Sequence, residues 1–258
     1  FEIKNNKNIF LLNKEQKNSL NFIRKIGNKY NVIVLEGVTG SGKTLVYFNR
    51  IKDFISKGKQ ALILLPEIAL TSQFSRRFKD FFGQSPAIWH SGTTKKNKSI
   101  IWKGVTEGKI KIVIGARSSL FLPFKNLGII VVDEEHDASY KQDEGVSYNA
   151  RDMAITRASL ENIPISLVTS IPSIETYNNI LNKKYYLTKL PKRYKDASLP
   201  KIEIINLHSE NLSKDSWIAN KTVSKVNKCL DKGDQVMFFL NRRGYAPFVV
   251  CRKCGYKF

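Results

Sequence analysis

The sequence predicts an α/β fold, in which a mostly parallel β-sheet is flanked by helices. Short apolar runs that end in turn residues alternate along the chain with segments whose apolar residues recur every three or four positions. One of these runs, residues 32–35, passes directly into a glycine-rich turn and then into a helical pattern, the strand–loop–helix order of parallel α/β proteins. The chain has 258 residues, of which 42% are hydrophobic, enough for one large domain or two smaller ones.

The charge balance narrows the classes of partner. Lys and Arg number 43 against 22 Asp and Glu, which gives a formal net charge of +21. This excess favours a surface that binds the phosphate backbone of nucleic acid, although a general enrichment in lysine would supply part of it too. No apolar run approaches the roughly 20 residues needed to span a bilayer, and no signal-like segment opens the sequence, so we expect no membrane partner and a cytoplasmic location.

The first predicted elements lead to the glycine-rich turn. Residues 1–12 are polar and basic without a clear period, and predict a linker or the tail of an upstream domain. Residues 14–26 have the apolar spacing of an amphipathic helix, which Asn13 could cap. The strand that begins at Val32 follows.

Residues 37–44, GVTGSGKT, fit the phosphate-binding pattern G-x-x-x-x-G-K-T. Gly37, Gly40 and Gly42 permit a backbone path on which N–H groups point inward at a polyphosphate. The helical pattern of residues 45–55 then places a helix N-terminus beneath the anion. The sequence therefore predicts a nucleotide-phosphate site at the carboxyl end of this strand.

Three side chains are candidates for holding the nucleotide and its metal. Lys43 can reach the β- and γ-phosphates of ATP, and the Thr44 hydroxyl can hold Mg²⁺. Gln16 either reads the adenine edge with its amide or is a solvated residue at the start of its helix. The sequence leaves both interpretations of Gln16 open.

Strands and helices keep alternating after the phosphate loop. Apolar runs predict strands at residues 60–65, 87–89 and 111–114. Helical spacing predicts a helix at residues 67–82 and a lysine-rich helix that ends at Gly104.

A further apolar strand, residues 127–132, ends in the acidic turn DEEHD at residues 133–137. Because the carboxyl ends of parallel strands meet at one edge of a sheet, we expect this turn to lie beside the phosphate loop. Asp133 would then hold the Mg²⁺ that Thr44 also ligates, and Glu134 would orient and deprotonate an attacking water. A merely solvated acidic loop is the alternative, and the all-apolar strand before it argues for the metal and base roles.

Residues 138–153 interleave aromatic and basic side chains, namely Tyr140, Lys141, Tyr148 and Arg151. Aromatic faces can stack on bases while neighbouring cations hold phosphate, so these four residues are candidates for DNA binding. A surface loop whose tyrosines pack against the sheet would have the same composition. The elements predicted next are a helix and a strand, at residues 154–160 and 165–169.

From residue 185 to residue 208 the pattern changes to shorter alternating segments, which favour an extended connector with a domain boundary within it. Residues 191–234 predict an extended connector that includes a helix at residues 218–230, and residues 235–240 predict a new buried strand. Cys251 and Cys254 follow in C-R-K-C-G, a spacing that places two thiolates on one metal. They are candidate Zn²⁺ ligands that supply half of a tetrahedral site.

In their order, these motifs resemble the PriA family of primosomal replication-restart helicases, within helicase superfamily two. The stretches that carry the resemblance are LNKEQ at residue 12, GVTGSGKT at residue 37, LLPEIALT at residue 64, GARSSLFLPF at residue 115, DEEHD at residue 133 and SYKQDEGVSYNARDMA at residue 139. The most discriminating stretch is FLNRRGYAPFVVCRKCG, which begins at residue 239 and which generic helicases lack.

The resemblance implies a RecA-like P-loop NTPase lobe at residues 13–190 and the beginning of a second lobe, with a zinc region, at residues 235–258. It implies a 3′-to-5′ DNA helicase that couples ATP hydrolysis to translocation at stalled forks, with primosome proteins and single-stranded DNA-binding protein as partners. Arg117 would contact DNA, and His136 would relay nucleotide state from the ATP site to the third motif.

Two features depart from the family pattern. The third motif usually reads close to GSATPS, whereas residues 168–173 read VTSIPS, so that Val168 and Ile171 replace a small residue and a threonine. The later motifs and the remaining zinc ligands are missing, so we expect a fragment that binds ATP and hydrolyses it slowly for want of the arginine finger. The alternatives are a DNA-binding primosome scaffold with a silenced motor, and a type I restriction or transcription-coupled motor subunit.

Overall fold

The computed structural model describes residues 11–66, 69–143, 145–193, 201–207 and 218–239. The chain divides into two compact units, Phe1–Ala197 and Ser198–Phe258. In the first unit the described helices are α1 Lys14–Ile26, α2 Lys43–Ile55, α3 Ser72–Phe82, α4 Lys95–Thr106, α5 Ala150–Leu160 and α6 Ile174–Leu181. The strands are β1 Val32–Gly37, β2 Gln60–Leu64, β3 Ala87–Trp89, β4 Ile112–Gly115, β5 Leu127–Asp133, β6 Lys141–Gln142, β7 Tyr148–Asn149, β8 Ile165–Thr169 and β9 Tyr186–Leu190. The second unit contains α7 Asn220–Asp231.

Seven strands form one sheet in the order β3-β4-β2-β5-β8-β1-β9, and every neighbouring pair is parallel. All seven strands therefore end at the same edge of the sheet. Strand β8 separates β1 from β5, so the phosphate loop and the acidic turn lie two strand spacings apart, about 10 Å. Strands β6 and β7 form a separate antiparallel hairpin.

Helices cover both faces of the sheet. Helices α1, α2 and α3 pack on one face through side chains such as Leu20, Phe48 and Phe78. On the other face, α4 and α5 contribute Val105 and Ala154 to a second apolar layer. The predicted α/β class, a parallel sheet between helices, is confirmed.

Capping residues explain where the site helices begin. In α1, Asn13 Oδ1 accepts from the Gln16 backbone N–H at 2.8 Å, and Gln16 Oε1 accepts from the Asn13 N–H at 3.0 Å, a reciprocal capping box. Helix α2 follows Gly42, which has no side chain to cap it. Its first backbone N–H groups are therefore left for an anion.

The predicted bounds of α1 agree with the structure, and the strands predicted at residues 60–65, 87–89, 111–114, 127–132 and 165–169 all form, within a residue of their predicted ends. The helix predicted at residues 67–82 instead begins at Ser72, because the Thr71 side chain accepts the Phe74 N–H and caps it there. Helix α5 begins at Ala150 rather than at residue 154, capped by Asn149.

Three further differences concern the later part of the chain. Strand β9 belongs to the main sheet beside β1, and α6 forms where no helix was predicted. Residues 235–239 were predicted as a buried strand and are not one, because none of the described residues pairs with their backbone. Residue 240 and the cysteine pair Cys251 and Cys254 lie outside the described residues.

None of the helices in the described ranges has both the length and the hydropathy of a membrane span.

Candidate functional site

A cavity of about 440 Å³ opens at the carboxyl edge of the sheet, between the phosphate loop and the acidic turn. The residues that line it are Leu11, Gln16, Thr39, Gly40, Gly42, Lys43, Thr44, Leu45, Arg77, Asp133 and Glu134. Thr44 and Asp133, the two predicted Mg²⁺ ligands, therefore line one cavity. A second cavity, of about 460 Å³, is lined by residues such as Phe54, Lys125 and Asn162 and by none of the motif residues.

The phosphate loop is shaped by its glycines. Gly40 and Gly42 have φ angles of +81° and +82°, in the left-handed region that favours glycine. A Cβ on Gly42 would overlap Nε2 of Gln16, and a Cβ on Gly37 would lie 2.6 Å from Ser41 Oγ. A larger residue at either position would therefore change the conformation of the loop.

Several hydrogen-bond donors lie around the phosphate loop. The Lys43 side chain is only 8% exposed, and its Nζ donates to the Gly37 carbonyl at 2.7 Å, which leaves two of its three donors for other acceptors. The buried Ser41 Oγ has no hydrogen-bond partner in the described part of the chain. An unpartnered hydroxyl and a partly used ammonium group beside free helix N–H groups suit an anionic ligand.

Asp133 is almost fully buried, at 9% exposed, on the other side of the cavity. Its Oδ2 accepts from the Tyr47 hydroxyl at 2.9 Å, and its Oδ1 accepts from the Glu134 N–H at 3.0 Å. Burial raises the pKa of Asp133 to about 6; the Tyr47 hydrogen bond opposes this shift, and the charge of Glu134 adds to it. A cation near Asp133 would restore its charged form.

Glu134 and His136 occupy the tight turn after β5. Glu134 has a φ angle of +48°, an unusual conformation for a residue with a side chain. Its Oε2 lies 3.8 Å from His136 Nδ1, and that same nitrogen lies 2.7 Å from Thr169 Oγ1. His136 thus connects the acidic turn with the end of β8, where the third motif begins.

The third motif keeps a hydroxyl in contact with His136 despite its altered sequence. Thr169 supplies this hydroxyl, which also donates to the Ile171 carbonyl at 2.7 Å. The Ile171 side chain is 72% exposed. The hydroxyl expected at position 171 is thus absent, but a hydroxyl contact between this segment and the acidic turn is present.

Gln16 is not the solvated residue that one interpretation predicted, because it is fully buried. Its Nε2 donates to the Ser41 carbonyl at 2.9 Å, while its Oε1 completes the α1 capping box. Gln16 thereby fixes the start of α1 against the phosphate loop and lines the cavity. Adenine recognition by its remaining donor stays a prediction.

Two of the predicted DNA-binding residues prove to be internal. Tyr140 is 1% exposed, and its hydroxyl lies 3.0 Å from the Leu64 carbonyl and 2.5 Å from the Asp133 carbonyl, so it ties β2 to β5. Arg151 is 7% exposed and donates to Glu135 and Ser173. The prediction that Tyr140 stacks on bases and Arg151 binds phosphate was wrong, because both side chains are buried and hydrogen-bond to groups inside the protein.

The other predicted DNA-binding residues lie together near the surface. Lys141 is exposed and Tyr148 is half-buried, and they lie in the hairpin formed by β6 and β7. Arg117 Nη1 donates to the Lys141 carbonyl at 2.6 Å, which joins the 3-10 helix Arg117–Phe121 to that hairpin. Their role in DNA binding stays a prediction.

Sequence reasoning missed four residues of the site. Tyr47 and Arg77 approach the cavity or Asp133 from α2 and α3, and Thr169 contacts His136. Tyr47 stands three residues after Thr44, a helical spacing that could have revealed it. Glu135 was counted only as one of the acids, yet it accepts from the Ser173 N–H at 2.7 Å and from Thr176 Oγ1 at 2.9 Å.

These residues fit a magnesium nucleotide. The glycine loop leaves room that a Cβ would fill, and Lys43 with the α2 N-terminus supplies donors for phosphate. Thr44 and Asp133 supply the hydroxyl and carboxylate oxygens that Mg²⁺ prefers. Cys251 and Cys254, the predicted Zn²⁺ ligands, lie outside the described residues.

The chain belongs to the DEAD/DEAH box helicase family, whose pattern matches residues 13–176. This family match spans the phosphate loop, the acidic turn and the third motif. The fold and the site are therefore those of a helicase lobe.

Within that class, the similarity is to replication restart protein PriA. The PriA of Rickettsia conorii is 51% identical over 258 residues, covering 99% of this chain and 39% of the relative. The PriA of Bacillus subtilis is 38% identical over 248 residues, 95% of this chain and 31% of the relative. The chain thus spans less than two fifths of the length of these relatives.

Solved structures agree on the fold. RecG bound to a three-way DNA junction superposes with a TM-score of 0.55 at 24% identity, covering 74% of this chain and 25% of that one. The helicase MrfA bound to DNA gives a TM-score of 0.51 at 20% identity, covering 69% of this chain and 27% of that one. At these identities the agreement concerns the fold alone.

Proposed function

We propose that this chain is the nucleotide-binding lobe of an ATP-driven DNA helicase that restarts replication at stalled forks, moving 3′ to 5′. The observation that carries the proposal is the single cavity lined by Lys43 and Thr44 on one side and by Asp133 and Glu134 on the other. The similarity to PriA proteins supports the restart role, and the resemblance of the motifs supports the direction.

The residues divide the work of phosphoryl transfer. Magnesium ATP, when bound, supplies the electrophilic γ-phosphoryl group and a divalent charge. Lys43 and the α2 N-terminus hold the phosphate oxygens, and Thr44 and Asp133 hold the metal. Glu134 accepts the proton of the water that attacks the γ-phosphorus. His136 and Thr169 link that turn to the third motif.

Partners and further cofactors follow from the same proposal. Forked DNA is the substrate, contacted in part by Arg117, Lys141 and Tyr148, and the DNA-bound helicases of similar fold support DNA as partner. Primosome proteins, single-stranded DNA-binding protein, a cytoplasmic location and Zn²⁺ on Cys251 and Cys254 belong to the proposal through the family resemblance. Zinc content measured with and without a C251S/C254S exchange tests the metal.

The proposed function is tested by the Lys43→Ala substitution in the intact protein. We expect ATP hydrolysis stimulated by forked DNA, and unwinding of substrates with a 3′ single-stranded tail, to fall at least about a hundredfold, because a phosphate-binding cation is lost. Undiminished unwinding by K43A would refute the proposal that ATP hydrolysis at this site drives unwinding. Fork binding by the unsubstituted protein with phosphate release at background would instead favour the scaffold with a silenced motor.

A further inference from the structure

An aromatic pair with lysines around it lies beside the edge strand β3, outside the motifs discussed so far. The rings of Trp89, the last residue of β3, and Trp102 in α4 have centroids 6.4 Å apart. Lys98 Nζ lies 5.8 Å from the Trp89 ring centroid. Trp102 is 49% exposed and the nearby Ile100 is 57% exposed, so both present apolar surface beside the Trp89 ring.

A second aromatic pair involves the 3-10 helix to which Trp89 is hydrogen-bonded. The Trp89 Nε1–H donates to Ser118 Oγ at 3.2 Å, which attaches Trp89 to the 3-10 helix Arg117–Phe121. At the end of that helix Phe121 is 55% exposed, and its ring packs edge to face on Tyr148 with centroids 5.6 Å apart. We name Trp102, Trp89, Phe121 and Tyr148 together the aromatic strip.

Lysines rather than acids accompany the aromatic strip. Helix α4 carries Lys95, Lys96, Lys98 and Lys103 within twelve residues and no acid. Asp143, near the Tyr148 end, pairs with Lys141 at 3.0 Å. Protein–protein interfaces are depleted in lysine, whereas surfaces for single-stranded nucleic acid combine aromatic faces with cations. Charge and composition thus favour a polynucleotide over a protein partner.

We propose that the aromatic strip binds single-stranded DNA, with bases stacked on Trp102 and Phe121 and phosphates held by Lys98 and its neighbours on α4. This inference rests on the proposed function and extends the DNA contacts beyond Arg117, Lys141 and Tyr148 to the edge strand. The strip is separate from the nucleotide cavity, none of whose lining residues belongs to it.

The test measures binding of a fluorescent thymidine oligonucleotide to the 258-residue chain by anisotropy, alongside binding of a fluorescent ATP analogue. We expect Trp102→Ala to weaken oligonucleotide binding about tenfold, because stacking of one base is lost, and Trp102→Phe to stay within about threefold of the original chain. Tyr186→Ala is the matched control, since Tyr186 is similarly exposed, at 47%, but begins β9 at the opposite edge of the sheet.

Lysine variants test the phosphate contact independently of the rings. Lys98→Gln should weaken oligonucleotide binding and lower the slope of log affinity against log salt by about 0.7, the single-strand value for one phosphate. Lys57→Gln, two residues after the end of α2, should leave the slope unchanged.

The outcomes separate this inference from the proposed function. If W102A and K98Q bind the oligonucleotide as tightly as the unsubstituted chain and also bind the ATP analogue, DNA binding by the aromatic strip is contradicted. The proposed ATP-driven helicase function is not affected by that result. Failure of the unsubstituted chain to bind oligonucleotide would overturn both the strip and the DNA contacts of the proposed function. A tenfold loss in W102A that W102F recovers supports stacking.

Discussion

Burial raises the pKa of Asp133 from 3.8 to about 6, even though the Tyr47 hydroxyl bonds to the carboxylate and opposes the shift. An acid whose pKa rises on folding favours the folded state fully below its unfolded pKa, and that contribution is lost as the pH rises through the folded pKa. As the pH rises from about 4 to about 6, ionisation of the buried Asp133 should therefore lower the free energy of unfolding. The proposed metal ion would reduce this loss, because a bound cation stabilises the carboxylate anion.

The Asp133→Asn substitution tests this electrostatic cost. Since one pKa unit corresponds to about 1.4 kcal/mol, the gain in unfolding free energy from D133N should be about 2 kcal/mol larger at pH 7.5 than at pH 4.5. Urea unfolding without Mg²⁺ or nucleotide measures it. Asp143→Asn, at a side chain that is 71% exposed, is the control and should show a difference below about 0.5 kcal/mol. An equal gain at both pH values would contradict the assigned burial.

At the scale of elements, Glu135 joins the acidic turn to helices α5 and α6. The carboxylate is 1% exposed and accepts from the Ser173 N–H, the Thr176 hydroxyl and Arg151 Nη1 at 2.7, 2.9 and 3.2 Å. Its own N–H donates to the Val168 carbonyl at 3.1 Å. The turn that presents Asp133 and Glu134 is therefore held to the segment that carries the third motif.

Glu135→Ala should destabilise the chain by about 3 kcal/mol or more, because it leaves the Ser173 N–H and the Thr176 hydroxyl without their acceptor and removes the buried carboxylate that pairs with Arg151. Chemical denaturation gives the value. Glu175→Ala is the matched control, since Glu175 contacts the same Arg151 at 3.7 Å but is 69% exposed, and its loss should change stability by less than about 1 kcal/mol. Equal effects of E135A and E175A would show that the buried network contributes little.

The junction of α1 with the phosphate loop makes a second prediction at this scale. Gly42→Ala and Gly58→Ala both place a Cβ at a positive φ, of +82° and +75°, but only the first meets another atom, Nε2 of the buried Gln16. G42A should therefore cost about 1 kcal/mol more than G58A in unfolding free energy and weaken ATP-analogue binding, whereas G58A should leave binding unchanged. Weaker nucleotide binding in G58A than in G42A would contradict the role of this junction.

The sequence revealed the elements with strong local signals better than the contacts between distant ones. The helix that Asn13 caps and the apolar strand before Asp133 follow from spacing alone, and so does the phosphate loop. The burial of Tyr140 and Arg151 could not be foreseen, because the acceptors that bury them lie on β2, β5 and the segment before α6. The sequence pattern of aromatic and basic residues is the same whether they contact nucleic-acid bases and phosphates or buried carbonyls and carboxylates.

For the whole molecule, a net charge of +21 should make DNA binding sensitive to salt. If the lobe contacts two or three phosphates of a single strand, its affinity for a thymidine oligonucleotide should fall roughly seven- to twentyfold between 50 and 200 mM salt. Anisotropy titrations measure the slope. An affinity independent of salt would show that the charge excess reflects a lysine-rich composition rather than a phosphate-binding surface.

The central claim is that Thr44 and Asp133 hold one magnesium ion with the nucleotide, and calorimetric titration of an ATP analogue tests it most directly. With Mg²⁺ present, T44A and D133N should each weaken binding, and the double variant should be weaker by clearly less than the sum of the two losses, because both substitutions remove ligands of one ion. In EDTA neither substitution should weaken binding, because the ion whose ligands they remove is absent. Strictly additive losses, or equal losses with and without Mg²⁺, would contradict a shared ion.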